Sequence, residues 1–154
     1  VSGYSWVRDE FPVLLLRSYF PERTNRESAI IRDYLLEHLQ EYDRIDFSVH
    51  VGQGLTPDPT HLPAVQRNTV QSSQKRIDVV GYRGNTASLI ECKTHISHEV
   101  MGQLLVDRQL WLEAHPDDAE PRLVAIGRTS NEDALRVLST HGIDVFLYAV
   151  PTPV

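Results

Sequence analysis

The sequence predicts an α/β domain with a mixed central sheet of four to five strands flanked by helices. Three observations predict it. Residues 76–93 read as a hairpin, because β-branched runs flank Gly84-Asn85, a two-residue turn signal. Its two faces are both apolar, Val80, Tyr82 and Leu89 on one and Ile77, Val79 and Ile90 on the other. That suits a central strand pair covered on both sides. Stripes of helical period lie before and after it. Finally, 122–148 reads strand–helix–strand, the pattern of a parallel crossover.

The elements follow in order. Residues 1–25 mix aromatics, acids and prolines and are expected as an N-terminal extension to a domain spanning 26–150. Thr24 and Glu27 have capping-box spacing and open a helix reaching about Tyr42. Ile31, Tyr34, Leu35, His38 and Leu39 are its apolar stripe. Ile45, Phe47, Val49 and Val51 alternate with Asp46, Ser48 and His50, predicting a half-exposed edge strand. The polar stretch 52–74 is expected as a surface insertion. After the hairpin, Ser97 caps a second helix that ends before Pro116. Val100, Leu104, Trp111 and Ala114 form its buried stripe. Gln103 lies on that stripe, an odd place for an amide without a partner, and Asp107 is expected as a helix-face residue. Arg122–Gly127 is a strand, Asn131–Leu138 a third helix closing at His141-Gly142, and Ile143–Tyr148 a last strand.

Composition sets bounds. The chain has 154 residues, enough for one domain with a core. Its net charge of −6 argues against a strong, non-specific grip on nucleic acid by this chain alone. One cysteine excludes a disulfide framework and suits a reducing, cytoplasmic setting. No apolar run approaches the roughly 18 residues that span a bilayer, and no signal-peptide pattern is present. The missing initiator Met and the Pro151-Thr152-Pro153-Val154 end suggest a processed chain or a piece of a longer one.

The chemistry lies in the hairpin. With Gly84-Asn85 as the loop, Arg83 opposes Thr86, Val80 opposes Leu89 and Asp78 opposes Glu91. Opposed residues share a face, with Cβ atoms about 4.5–5.5 Å apart, so the two carboxylates repel unless a cation joins them. Lys93 points to the same face as Glu91, and Cys92 points away. Two acids and a lysine at a sheet end make a divalent-metal site with a resident base, suited to chemistry on phosphates. Only two of the 15 basic residues are lysines. A lysine, unlike an arginine, can give up its proton. Cys92, His95 and His98 have zinc-like character but lack a fourth ligand. No nucleophile elbow, phosphate-cradling loop or dinucleotide fingerprint is present.

Asp78, twelve intervening residues and then Glu91-Cys92-Lys93 resembles the PD-(D/E)xK nuclease signature. Ile77 stands where the motif has proline. The resemblance covers roughly 26–148 and implies a restriction-endonuclease-like fold. It also implies Mg²⁺ or Mn²⁺ held by Asp78, Glu91 and the Cys92 carbonyl, with Glu27 on the first helix as a third acid. Lys93 would serve the attacking water, and Gln103 would orient water or phosphate beside it. The implied activity is that of a metal-dependent endonuclease on nucleic acid, DNA foremost, similar to mismatch-cutting enzymes and to CRISPR accessory nucleases. A homodimer or a fused DNA-binding or regulatory module would supply the grip. The alternatives are an inactive nucleic-acid-binding or scaffold module on the same fold, or a phosphodiesterase for small cyclic nucleotides.

Overall fold

The computed structural model of the chain describes residues 3–150. It begins with β1 (Ser5–Val7), a 3-10 turn and α1 (Phe11–Leu14). α2 (Asn25–His38) starts at the expected capping box: the Thr24 hydroxyl accepts the Glu27 N–H, and the Glu27 carboxylate accepts the Thr24 N–H. β2 (Arg44–Val51), α3 (Pro63–Ser73), β3 (Lys75–Arg83) and β4 (Thr86–Cys92) follow. Then come β5 (His95–Ile96), α4 (His98–Ala114) capped by Ser97, β6 (Arg122–Gly127), β7 (Thr129–Ser130), α5 (Glu132–Thr140) and β8 (Ile143–Leu147). No described helix is long and apolar enough to cross a membrane.

The sheet is mixed and six-stranded, in the order β1-β2-β3-β4-β6-β8. β1 to β4 pair antiparallel. α4 and α5 are the crossover helices that make β4–β6 and β6–β8 parallel. The hairpin has the expected register, Arg83↔Thr86, Val80↔Leu89 and Val79↔Ile90. Gly84 has φ 59° and Asn85 is not left-handed, so only the first turn residue needs glycine's freedom, the type II′ habit.

Helices cover both faces. Ile31, Tyr34 and Leu35 of α2 pack with Phe47, Val79 and Ile90. Val100, Leu104 and Trp111 of α4 pack with Val80, Leu89 and Leu123. Each such fully buried side chain contributes about 1.5–3 kcal/mol.

Four features differ from the sequence reading. β1 pairs with β2, so β2 is interior and the sheet gains a sixth strand. Three residues are too few to display a period. Trp6, Phe11, Leu14 and Phe20 join the core, so residues 3–25 pack into the domain instead of extending from it. The stretch 52–74 contains a helix, α3, begun by Pro63 at a first-turn position; none of its residues is buried. The last difference bears on the site. The β2–β3 register passes from Phe47↔Val79 to Val49↔Ile77 without a Ser48–Asp78 pair, and Ser48 is left-handed at φ 52°. The strands roll there, so Phe47 and Val79 face α2 while Ile77 and Val51 face α4. Ile77 therefore shares a face with Val80, not with Val79.

Candidate active site at the open end of the hairpin

The β3–β4 ladder ends at Val79↔Ile90. Beyond it the strands diverge. β3 keeps its pairing with β2, and β4 continues beside β6 through Glu91↔Ala125 and Cys92↔Ile126. Asp78 and Glu91, the expected opposed pair, stand one step past the last rung. Asp78 turns into the gap: Oδ2 accepts the Cys92 N–H at 2.9 Å and Oδ1 accepts from the Arg23 guanidinium. Asp78 is 5 % exposed and Glu91 4 %. The two carboxyls lie close enough to hydrogen-bond when one carries a proton. Burial pushes the pKa of Glu91 up, and the charges of Asp78 and then Asp107 push it further. Burial also raises Asp78, against the pull of Arg23 and of the Cys92 N–H.

Glu91 has a second acidic neighbour. Asp107 of α4 is fully buried and lies within hydrogen-bonding reach of the Glu91 carboxyl. Lys75 Nζ stands 3.1 Å from Asp107 Oδ1 as an ion pair, off the line of a hydrogen bond. Glu91 Oε1, both Asp107 oxygens, Gln103 Oε1 and Arg23 Nε are buried without a hydrogen-bond partner. Folded proteins satisfy the large majority of such atoms, so this concentration marks a place built for something beyond packing.

The other expected residues divide. Glu27 is engaged locally: Oε2 accepts the Thr24 N–H at 2.8 Å and Oε1 lies 3.9 Å from Arg23 Nη1. The Cys92 thiol faces α2, with Sγ 3.7 Å from the Glu27 carbonyl. Burial raises its pKa far above the usual range, so this residue offers the site only its main chain. Lys93 is half-buried just past β4, its N–H donating to the Ile126 carbonyl at 3.0 Å. Among the described residues its ammonium pairs with no carboxylate. A Cβ on Gly127 would stand 2.5 Å from the Lys93 carbonyl, so this close passage of β6 requires glycine. Gln103 lies one turn before Asp107 on α4, half-buried.

Sequence reasoning missed three residues here: Arg23, Lys75 and Asp107. Asp107 did carry a signal. It falls between Leu104 and Trp111 on the stripe of α4 that the structure buries. Lys75 carried one too, as the other of only two lysines. Arg23 carried none, being brought in by a loop. Glu22, at φ 60°, and Ser48 are the only non-glycine residues with positive φ among those described. Both flank the site, Glu22 beside Arg23 and Ser48 across from Asp78. Arg76 pairs with Glu22 at 2.7 Å, and the Ser48 hydroxyl donates to the Pro21 carbonyl at 3.2 Å. These contacts latch the loop that carries Arg23, and such strain characteristically collects at functional sites.

Among the described residues, no three His, Cys, Asp or Glu side chains converge as a finished metal cage. The site offers two adjacent carboxylates, one with an orphaned oxygen. That donor set fits a hard cation such as Mg²⁺ or Mn²⁺, which keeps several waters. It does not fit zinc held by Cys92, His95 and His98: the thiol faces α2, and His95 Nδ1 is taken up by the Thr129 hydroxyl at 2.8 Å.

No protein family and no curated protein matches the chain by sequence. Three solved structures are similar in fold. A protein of unknown function, AF1548, is 23% identical with a TM-score of 0.46, over 82% of this chain and 59% of its own. A complex of EndoMS with double-stranded DNA is 15% identical with a TM-score of 0.46, over 89% of this chain and 50% of its own. A repair endonuclease from Pyrococcus abyssi is 16% identical with a TM-score of 0.44, over 84% of this chain and 50% of its own. The chain thus spans about half to three-fifths of the length of the structures it matches.

Proposed function

We propose that this chain is a nuclease of the PD-(D/E)xK kind, hydrolysing phosphodiester bonds in nucleic acid, DNA foremost, with Mg²⁺ or Mn²⁺. One observation carries the reading: the buried Asp78–Glu91 pair, with an orphaned Glu91 oxygen, followed two residues after Glu91 by a lysine that pairs with no carboxylate among the described residues. Asp78, Glu91 and the Cys92 carbonyl would hold the ion, which when bound supplies positive charge to the phosphoryl and leaving oxygens. Lys93 would hold the attacking water and take its proton, a role that an arginine could not fill. Gln103 would orient water or phosphate through its free amide. Glu27 fits the third-acid role less well, since its carboxylate already closes the start of α2.

The net charge of −6 leaves duplex binding to a homodimer or a fused module, because counterion release needs many cationic contacts. A second reading, an inactive nucleic-acid-binding or scaffold module, is favoured by the internal pairs Arg23–Asp78 and Lys75–Asp107, which neutralise acids without an ion. A test of both is to incubate the chain with labelled DNA, RNA and small cyclic nucleotides, with Mg²⁺, with Mn²⁺ and with EDTA. Mn²⁺ calorimetry accompanies the assays. The nuclease reading expects metal-dependent cleavage of a polymer, together with Mn²⁺ heat. Cleavage that survives EDTA would overturn the metal mechanism. The absence of both Mn²⁺ heat and cleavage would favour the scaffold, whose acids are already neutralised from within.

A further inference from the structure

We propose that Asp107 on α4 is the third acid facing the ion, and that Lys75 sets how strongly it acts. This deepens the nuclease reading and rests on it. Asp107 occupies a core position of α4, between Leu104 and Trp111, with no exposed surface. An apolar residue would suit that position better, because a buried carboxylate without hydrogen bonds is costly. Neither Asp107 oxygen has a hydrogen bond. Two charged groups are in reach, the Lys75 ammonium at 3.1 Å and the Glu91 carboxyl. A purely structural ion pair would not need to abut a second buried acid.

Charge placement makes the same point. Asp78 faces Arg23, and Asp107 faces Lys75. Glu91 lies between the two acids with no cation of its own and one orphaned oxygen. Glu91 is therefore the acid left without a cation, and a divalent ion would bind there in place of its proton. Asp107 attracts that ion, and Lys75, one residue further out, opposes it. Coulomb interactions over such short, water-poor distances are large enough to change affinity severalfold. Glu27 has no comparable freedom, with one oxygen on the Thr24 N–H and the other toward Arg23. The two lysines of the chain thus serve one acid cluster, Lys93 toward the water and Lys75 as a brake on the ion.

Opposite signs distinguish this role from a structural one. Mn²⁺ affinity is measured by calorimetry on the metal-free chain, with circular dichroism to confirm folding. Asp107→Asn keeps the shape and removes the charge, and should weaken Mn²⁺ binding about tenfold. Lys75→Met keeps the stem and removes the ammonium, and should tighten binding about threefold or more. Lys75→Arg should stay near wild type, and Glu27→Gln should change affinity by less than about twofold. If Asp107→Asn and Lys75→Met both weaken Mn²⁺ binding alongside lower melting temperatures, the pair is structural and the inference fails. A tenfold loss in Glu27→Gln with none in Asp107→Asn would return the third acid to α2. Should the wild-type chain bind no Mn²⁺, the nuclease reading itself fails, and the inference falls with it.

Discussion

At its turn, the β3–β4 hairpin is closed by Gly84-Asn85 and the Arg83↔Thr86 pair; at its other end the same strands part after Val79↔Ile90. The turn end is regular. Its rungs pair in sequence as far as the fully buried Val80 and Leu89, and the Gly84 N–H donates to Asp43 Oδ2 at 3.0 Å. The open end reverses each of these properties. Buried acids replace buried hydrocarbons, a side chain takes the Cys92 N–H, and several polar atoms have no partner. One pair of strands thus keeps its stability at one end and concentrates its unsatisfied groups at the other. The lesson is local: regular pairing fixes where the two acids stand, and divergence makes room between them.

The largest expected effect is on catalysis, and only at the open end. Asp78→Ala should lose Mn²⁺ binding and cleavage together, because it removes a ligand. Lys93→Ala should slow cleavage by about 10²–10⁴-fold, the usual contribution of a proton-transfer group, with Mn²⁺ affinity near wild type. Lys93→Arg should not rescue it, since a guanidinium keeps its proton and presents a planar fork. Thr86→Ala, at the turn, should leave cleavage unchanged. Single-turnover rates for the four variants test the contrast, and an active Lys93→Arg enzyme would reduce Lys93 to a charge partner.

Stability should show the reverse ordering. Leu89→Ala, on a regular rung of the ladder, should cost about 2–5 kcal/mol through lost burial and a cavity. Glu91→Gln should stabilise the metal-free chain by about 1–3 kcal/mol near neutral pH, because the buried carboxyl must take up a proton on folding and the amide need not. Its pH signature has a definite sign. The pKa of Glu91 is raised in the folded chain, so the folded state holds that proton more tightly than the unfolded one. Its contribution is full below the unfolded pKa of about 4.3 and is lost as pH climbs through the raised folded value. Glu22, Asp43 and Asp58 are shifted downward and act oppositely, losing stability as pH falls. The difference between wild type and Glu91→Gln cancels their part. Urea unfolding in EDTA should therefore show the variant's advantage growing from pH 4 upward. An advantage that shrinks with pH would mean that Glu91 is not held in a protonated state.

The hairpin was legible because turn chemistry and strand period fix register together, and Gly84-Asn85 left one way to pair Val80 with Leu89. The capping box at Thr24 and the Ser97 cap were legible for a similar reason: each is a short-range contact between side chain and main chain. β1 was not legible, since three residues cannot show a period and its partner lies forty residues away. The roll at Ser48 was hidden because serine gives no hint of a left-handed backbone. It moved Ile77 to the α4 face and left Asp78 off the ladder. The acids and Lys93 could be named from spacing, but their surroundings could not. Arg23 reaches Asp78 from fifty-five residues away, and Asp107 was passed over because a carboxylate on an apolar stripe is read as solvated unless its partners are known.

The smallest effect belongs to the turn itself. Gly84 has φ 59°, and a Cβ there would meet nothing within 4 Å. Gly84→Ala therefore carries no packing penalty, only the backbone cost of a left-handed L residue, about 1–2 kcal/mol. The Gly84 N–H bond to Asp43 is a main-chain bond and survives the substitution. Gly81→Ala makes the contrast within the same hairpin, because its Cβ would stand 2.5 Å from the Tyr42 ring and force the core to shift. If the two ends of the hairpin are independent, Gly84→Ala should lower the urea midpoint slightly, with Mn²⁺ affinity and cleavage per folded molecule unchanged. The rungs at Val80↔Leu89 and Val79↔Ile90 lie between the turn and the acids, and they are held by buried side chains, the first on the α4 face and the second on the α2 face. A parallel loss of Mn²⁺ affinity in Gly84→Ala would show that the turn, not those rungs, sets the spacing of Asp78 and Glu91.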